Sequence, residues 1–299
     1  MRRCSQPGLS GAGWRVKRFS IALFFLETGC ALDGSTRAAT SLMLGDNLMT
    51  VNELRNFGVE VDDAAQQRLQ AYINALLDEN SRLNLTAIRS PHAAWVLHVC
   101  DSLAGISRVR ERNAGSLIDV GTGGGAPGIP IACVLTSWRV TLVDGTSKKI
   151  AACRRIADVC GLPTVATIAG RAEELAHARE LRERFDVAVA RAIGPLSSVL
   201  EFLAGFVAVG GECWAFKTPA SANLERAAVA PLLGPLGLRE AGSIEYDLGE
   251  LGGKRCVMLY RKVANCAAGY PRRGGTAGGT VARPRFAAKK RRDGRSDVG

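Results

Sequence analysis

The stretch Leu117-Ile-Asp-Val-Gly-Thr-Gly-Gly-Gly-Ala-Pro-Gly-Ile-Pro130 constrains this chain more than any other. A short apolar run ends in a cluster of glycines and restarts as a helix. A nucleotide-cofactor loop requires this context, because a strand must turn tightly into a helix whose N-terminus faces the ligand. Gly121 and Gly123 let the backbone approach a ligand where a Cβ would collide. Asp144, twenty-three residues beyond Gly121, ends the next apolar run, where a carboxylate can accept hydrogen bonds from both hydroxyls of a ribose. Gly121, Gly123 and Ala126 satisfy G-x-G-x-x-[GA], so a nicotinamide-dependent oxidoreductase is one reading. Asp119, just before the turn, tips the balance towards S-adenosylmethionine. Its carboxylate can face a cationic amino or sulfonium group, or it can order the loop by accepting backbone N–H groups.

Around this loop the hydrophobic period changes twice. Leu69, Tyr72, Ile73, Leu76 and Leu77 recur at helical spacing after Asp62-Asp63. Ser90-Pro91 reads as a cap and first-turn proline for a second helix carrying Trp95, Val96, Val99 and Leu103. Residues 46–113 thus form a helical unit. From 114 to 264, strands are expected at 117–120, 140–143, 164–168, 186–190, 212–216 and 255–261. Helices are expected at 128–135, 147–160, 195–207 and 221–233. This alternation predicts a parallel α/β sheet with helices on both faces.

The ends differ from the middle. The 299 residues carry a formal charge of +11, but residues 46–264 hold twenty-four basic and twenty-four acidic side chains. The excess lies in residues 1–45, with six basic and two acidic side chains, and in 265–299, with nine and two. Basic tails attract polyanions without reading sequence, and they also serve as solvated tails. The Gly- and Arg-rich segment 265–299 lacks apolar periodicity and is expected to be irregular or disordered. Residues 15–26 imitate the basic and apolar regions of a leader, yet Glu27 interrupts them. A mis-assigned start, with Met43 or Met49 the true beginning, accounts for this better than a genuine extension or secretion. No apolar run approaches the ~20 residues that span a bilayer. The nine cysteines are scattered without a C-x-x-C pair, which fits reduced core thiols in a cytoplasmic protein and no metal cluster.

Several segments together resemble one family. Asp119-Val-Gly-Thr-Gly-Gly-Gly-Ala-Pro-Gly-Ile-Pro130 is similar to the signature of the bacterial small-subunit ribosomal RNA methyltransferase G family, also called the glucose-inhibited division protein B family. Asn84-Leu-Thr86 with His98-Val-Cys-Asp-Ser102, Val143-Asp-Gly-Thr-Ser-Lys-Lys149, Arg171-Ala-Glu-Glu174, Val189-Ala-Arg-Ala192, Phe216-Lys-Thr218 and Tyr270-Pro-Arg-Arg-Gly-Gly-Thr276 agree in order and spacing. The resemblance covers roughly residues 46–276. It implies a class I S-adenosylmethionine-dependent methyltransferase fold, Rossmann-like, with a mostly parallel seven-stranded sheet behind short N-terminal helices. The implied reaction is methylation of N7 of one guanine of 16S ribosomal RNA, at position 527 in the usual numbering. The implied cofactor contacts are Gly121, Ala126, Ala172, Glu173 and Arg191. Gly124 and Ala126 depart from the family's usual proline and larger apolar residue, which bears on loop stiffness.

Guanine N7 carries a lone pair and no proton, so its methylation needs alignment rather than a general base. No catalytic dyad is expected. Glu173 is placed for the adenine edge and Asp144 for the ribose. Arg191, ending the fourth strand, suits the cofactor carboxylate or an RNA phosphate. Lys217 and Lys148 are candidates for phosphate or guanine O6, against the plain alternative of solvated lysines. His98 and Asp101, three residues apart on one helix, are expected to pair with each other structurally. A class I methyltransferase with another acceptor is the nearest rival, since fold does not choose substrate. The acceptor is expected to be presented by the small subunit, with the chain acting as a monomer.

Overall fold

A computed structural model describes residues 54–55 and 58–273. The expectations placed on residues 1–45 and on the basic stretch after 273 lie outside these. Helix α1 (Asp63–Leu83) starts where the sequence caps it, the Asp62 carboxylate accepting from Ala65 N at 2.6 Å, and stops at Asn84 in the left-handed region. Its buried stripe contains Leu69, Tyr72, Ile73 and Leu76. Ser90 caps α2 (Pro91–Ala94), which runs through a π-helical turn (Trp95–Cys100) into α3 (Asp101–Leu103).

Seven strands follow: β1 (Ser116–Val120), β2 (Arg139–Asp144), β3 (Val165–Ala169), β4 (Phe185–Arg191), β5 (Val207–Lys217), β6 (Leu238–Asp247) and β7 (Lys254–Lys262). Between them lie α4 (Gly128–Val134), α5 (Ser147–Val159), α6 (Ala172–Leu175), α7 (Leu196–Phe206), α8 (Pro219–Leu236) and α9 (Gly249–Gly252). The sheet order is β3-β2-β1-β4-β5-β7-β6. Neighbours from β3 to β5 are parallel, and β7 is antiparallel to both β5 and β6. The chain order reverses between β1 and β4, so the crevice for a ligand opens beyond the carboxyl ends of these strands.

Alternate residues of each strand feed two cores. Leu117, Val140, Leu142, Val189 and Trp214 pack under α1, the π-helical turn, α4 and α5. Ile118, Val120, Val143, Ala188 and Ala215 pack under α7 and α8. Helices therefore cover both faces, as the near-continuous apolar runs of the central strands require.

Three expectations need correction. The seven strands that the resemblance implies are present, but β6 is not among the six located in the sequence: it is an edge strand, half-buried or exposed along most of its length, so its apolar alternation is weak. Strand β5 begins at Val207, five residues before the predicted start. The described helices of 46–113 pack on the sheet, Leu69, Tyr72, Trp95 and Leu103 sharing one core with Leu117, Ile129 and Trp214. Packing also continues past 264. Cys266 is buried, and the main-chain N–H and guanidinium of Arg272 bond the fully buried Glu201 at 2.6 to 3.0 Å. Arg182 reaches Tyr270 O and His177 reaches Pro271 O, which fastens the same segment to the region after β3.

Candidate active site

The glycine turn is tied to its neighbours by backbone and side chain. Gly121 N and Thr122 N both donate to Val143 O, at 2.8 and 3.0 Å, which hangs the loop from the end of β2. Asp144 adds a second tie, accepting from Gly123 N at 3.1 Å and from Thr146 N at 2.8 Å. A thiol supports the loop from beneath, Cys153 Sγ donating to Gly123 O at 3.3 Å. Gly121 has φ +74°, and a Cβ there would lie 2.3 Å from Ile193 Cγ2, so the turn closes against the loop after β4 only with glycine.

Asp119 has no exposed surface. Its Oδ2 accepts from Thr122 Oγ1 at 2.6 Å and from Gly128 N at 2.9 Å, so one oxygen orders the loop. The other, Oδ1, is buried with no hydrogen-bond partner. Burial pushes the carboxyl up to about 6, against the lowering hydrogen bonds of Thr122 and Gly128 and the charge of Arg191. A buried carboxylate oxygen without a partner is costly unless a cation or donor meets it.

A cleft of about 210 Å³ opens at the carboxyl ends of β1, β2 and β3. Val120, Val143, Ile193 and Phe202 give it apolar walls, while Asp144 and Glu173 supply carboxylates and Gly121 and Ala172 leave room. Arg171 holds Glu173 Oε1 at 2.9 Å. An adenosine needs this combination of apolar faces for the base and acceptors for the ribose, so the donor set fits S-adenosylmethionine. Gly123 and Ala126 stand elsewhere: Gly123 serves through its N–H to Asp144, and the Ala126 methyl is buried in the core below the loop.

A second cavity, of about 410 Å³, lies beyond β4 and β5, lined by Arg191, Ala192, Phe216, Lys217, Tyr246 and Arg255 among others. Arg191 does not line the first cleft. It donates to Leu97 O at 2.8 Å, to Asp101 Oδ2 at 2.6 Å and to His98 Nδ1 at 2.9 Å. The expected His98–Asp101 pair is therefore replaced by a shared grip on Arg191. Because Nδ1 accepts from Arg191, the His98 proton belongs on Nε2, which faces Thr86 Oγ1 at 3.1 Å. Burial and the nearby Arg191 charge lower His98 to about 4, so the ring stays neutral. Tyr246 OH donates to Asp101 Oδ1 at 2.7 Å, completing that carboxylate.

Lys217 is engaged too, donating to Gly194 O and to Glu225 Oε2, both at 2.8 Å. Lys148 stands exposed in the first turn of α5 and lines neither cavity. Arg255 and Tyr246 were missed by sequence reasoning. Their signal is topological: β7 runs antiparallel to β5, so its first residues sit beside the last residues of the parallel strands. Tyr246 and Arg255 are register partners across β6 and β7. Among the described residues no cluster of three His, Cys, Asp or Glu side chains could hold a metal, and no helix is long and apolar enough to cross a membrane.

This strand order, with an antiparallel seventh strand between the fifth and sixth, together with the acid-flanked glycine turn, defines a class I S-adenosylmethionine-dependent methyltransferase. Residues 65–230 match the family described as rRNA small subunit methyltransferase G. The Ribosomal RNA small subunit methyltransferase G of Oenococcus oeni is 34% identical over 226 residues, covering 75% of this chain and 93% of that one. Its counterpart from Clostridium novyi is 35% identical over 225 residues, covering 74% and 91%. The chain belongs to the small-subunit ribosomal RNA methyltransferase G family.

Proposed function

We propose that this protein transfers the methyl group of S-adenosylmethionine to N7 of the position-527-type guanine of 16S ribosomal RNA, with the two cavities dividing the work. The observation that carries this reading is their adjacency. Ile193 walls the nucleoside cleft, and its neighbours Ala192 and Arg191 line the basic cavity. The bound cofactor supplies an activated methyl on a sulfonium. In the first cleft Asp144 is assigned the ribose hydroxyls and Glu173 the adenine edge. Asp119 Oδ1 is assigned the cofactor's amino group and Arg191 its carboxylate.

The second cavity is assigned the guanine, whose N7 lone pair forms the new bond as the sulfur–carbon bond breaks. No proton leaves N7, so the residues need only align the reactants and exclude water. Positive charge passes from sulfur to the purine during transfer. The pairing of Arg191 with Asp101 and of Lys217 with Glu225 offsets two of the three cations that line this cavity. N7 faces the deep, narrow major groove of A-form RNA. That geometry favours an unpaired guanine presented by the small subunit.

The test is transfer of labelled methyl to unmethylated 30S subunits, with free 16S RNA and bulk protein in parallel. Borohydride–aniline cleavage then maps N7-methylguanine. One cleavage at the expected guanine is the outcome that fits. Label without cleavage overturns the N7 assignment, and transfer to protein alone overturns the RNA acceptor.

A further inference from the structure

Three cations line the cavity beyond β4 and β5, and they are not equivalent. Arg191 is held by Leu97 O, His98 and Asp101, and Lys217 by Gly194 O and Glu225. The Arg255 guanidinium has no hydrogen bond or ion pair among the described residues, and its Nε is buried with no partner. A buried guanidinium N–H without an acceptor is a cost that a ligand's oxygen would relieve.

Its surroundings limit what that oxygen belongs to. Phe216, Leu97 and Ile88 make part of the wall apolar, as a planar base requires and a phosphate does not. The cavity is offset from the cofactor cleft by Ala192 and Ile193, which suits the methyl acceptor. Purines present O6 beside N7 when the base is guanine, and an amino group there when it is adenine. An arginine usually grips O6 and N7 together. That grip is excluded here, because N7 must stay free to attack the methyl. A single donor to O6 remains, and it would accept guanine while opposing adenine's amino group.

We infer that Arg255 is the specificity-determining residue of the acceptor site, donating to O6 of the target guanine in the cavity formed with Phe216, Tyr246 and Arg191. This role falls to Arg255 rather than to Lys217 or Lys148. It rests on the reading of the activity as guanine-N7 methylation.

The experiment uses 30S subunits reconstituted with guanosine, inosine or 2-aminopurine riboside at the acceptor position. Inosine keeps O6 and lacks the 2-amino group, whereas 2-aminopurine keeps N7 and lacks O6. Wild-type protein, Arg255→Met and Arg255→Lys are compared in single-turnover methylation. Cofactor affinity is measured separately by calorimetry on the free protein. Wild type is expected to treat guanosine and inosine alike and to methylate 2-aminopurine roughly ten- to a hundredfold more slowly. Arg255→Met should slow guanosine and inosine to the 2-aminopurine rate, with cofactor Kd unchanged. Arg255→Lys should recover part of the preference.

Equal wild-type rates on all three bases would overturn the inference. So would Arg255→Met slowing all three equally with the preference intact, which would move Arg255 to a phosphate. If wild type places no methyl on N7 of the guanosine subunit, the activity reading has failed and this inference falls with it.

Discussion

Arg191 and Asp101 meet at 2.6 Å, joining the end of β4 to a helical turn ninety residues earlier in the chain. Both side chains are mostly buried, at 16% and 11% exposure. Asp101→Leu would strand a buried guanidinium, a loss of about 3 kcal/mol or more in this setting. Asp101→Asn keeps an acceptor and should cost less. Asp101→Leu should release Arg191 and weaken cofactor binding about tenfold, with a smaller loss in Asp101→Asn. Urea unfolding and cofactor titration check the two effects separately, and unaltered cofactor affinity in Asp101→Leu would refute the positioning role.

Asp119 sets a pH dependence whose sign follows from its environment. Burial raises its carboxyl to about 6, so the free protein holds a neutral acid below that pH and a carboxylate above it. A cationic ligand favours the carboxylate and must displace the proton when binding at low pH. Cofactor Kd should be flat above pH 7 and rise towards tenfold per unit as pH falls below 6. Proton release on binding should accompany the rise. Asp119→Asn should bind weakly with no such slope, and a wild-type Kd flat from pH 5 to 8 would remove Asp119 from the site.

Gly121 and Gly123 should respond differently to alanine. Both have positive φ, at +74° and +58°, but only at Gly121 does an added Cβ meet another residue, 2.3 Å from Ile193 Cγ2. Gly123→Ala should cost about 1 kcal/mol in backbone strain and weaken the cofactor modestly. Gly121→Ala should force the β1 and β4 loops apart and lose cofactor binding by a hundredfold or more. Titration of both variants tests the order.

The packed residues 265–273 should matter for stability. Ending the chain at Ala264 removes Arg272, whose guanidinium lies 2.8 Å from the fully buried Glu201 carboxylate, and Cys266, which accepts from the buried Lys262. Loss of these partners should lower unfolding free energy by about 3 kcal/mol. Ending it after Arg273 keeps both contacts and should leave stability within about 0.5 kcal/mol of the full chain. Urea unfolding of the two truncations decides between them.

Local chemistry made much of this protein legible in its sequence. A glycine turn after an apolar run, with Asp119 before it and Asp144 at the next strand end, reads as a cofactor loop because each requirement is met within about thirty residues. The α1 stripe and the Asp62 and Ser90 caps are readable for the same reason, since they depend on helical period and adjacent side chains. Strand β6 was not readable, because an exposed edge strand needs no apolar alternation.

Only the tertiary structure decided which charges are already satisfied. Sequence placed Arg191, Lys217 and Lys148 together as substrate contacts. Folding engages the first two with Asp101 and Glu225 and leaves Lys148 on the surface. It brings Arg255 to the site through an antiparallel strand whose direction no local pattern encodes. Residue type and spacing specify what a group can do; whether it remains available depends on partners that chain folding delivers from far along the sequence.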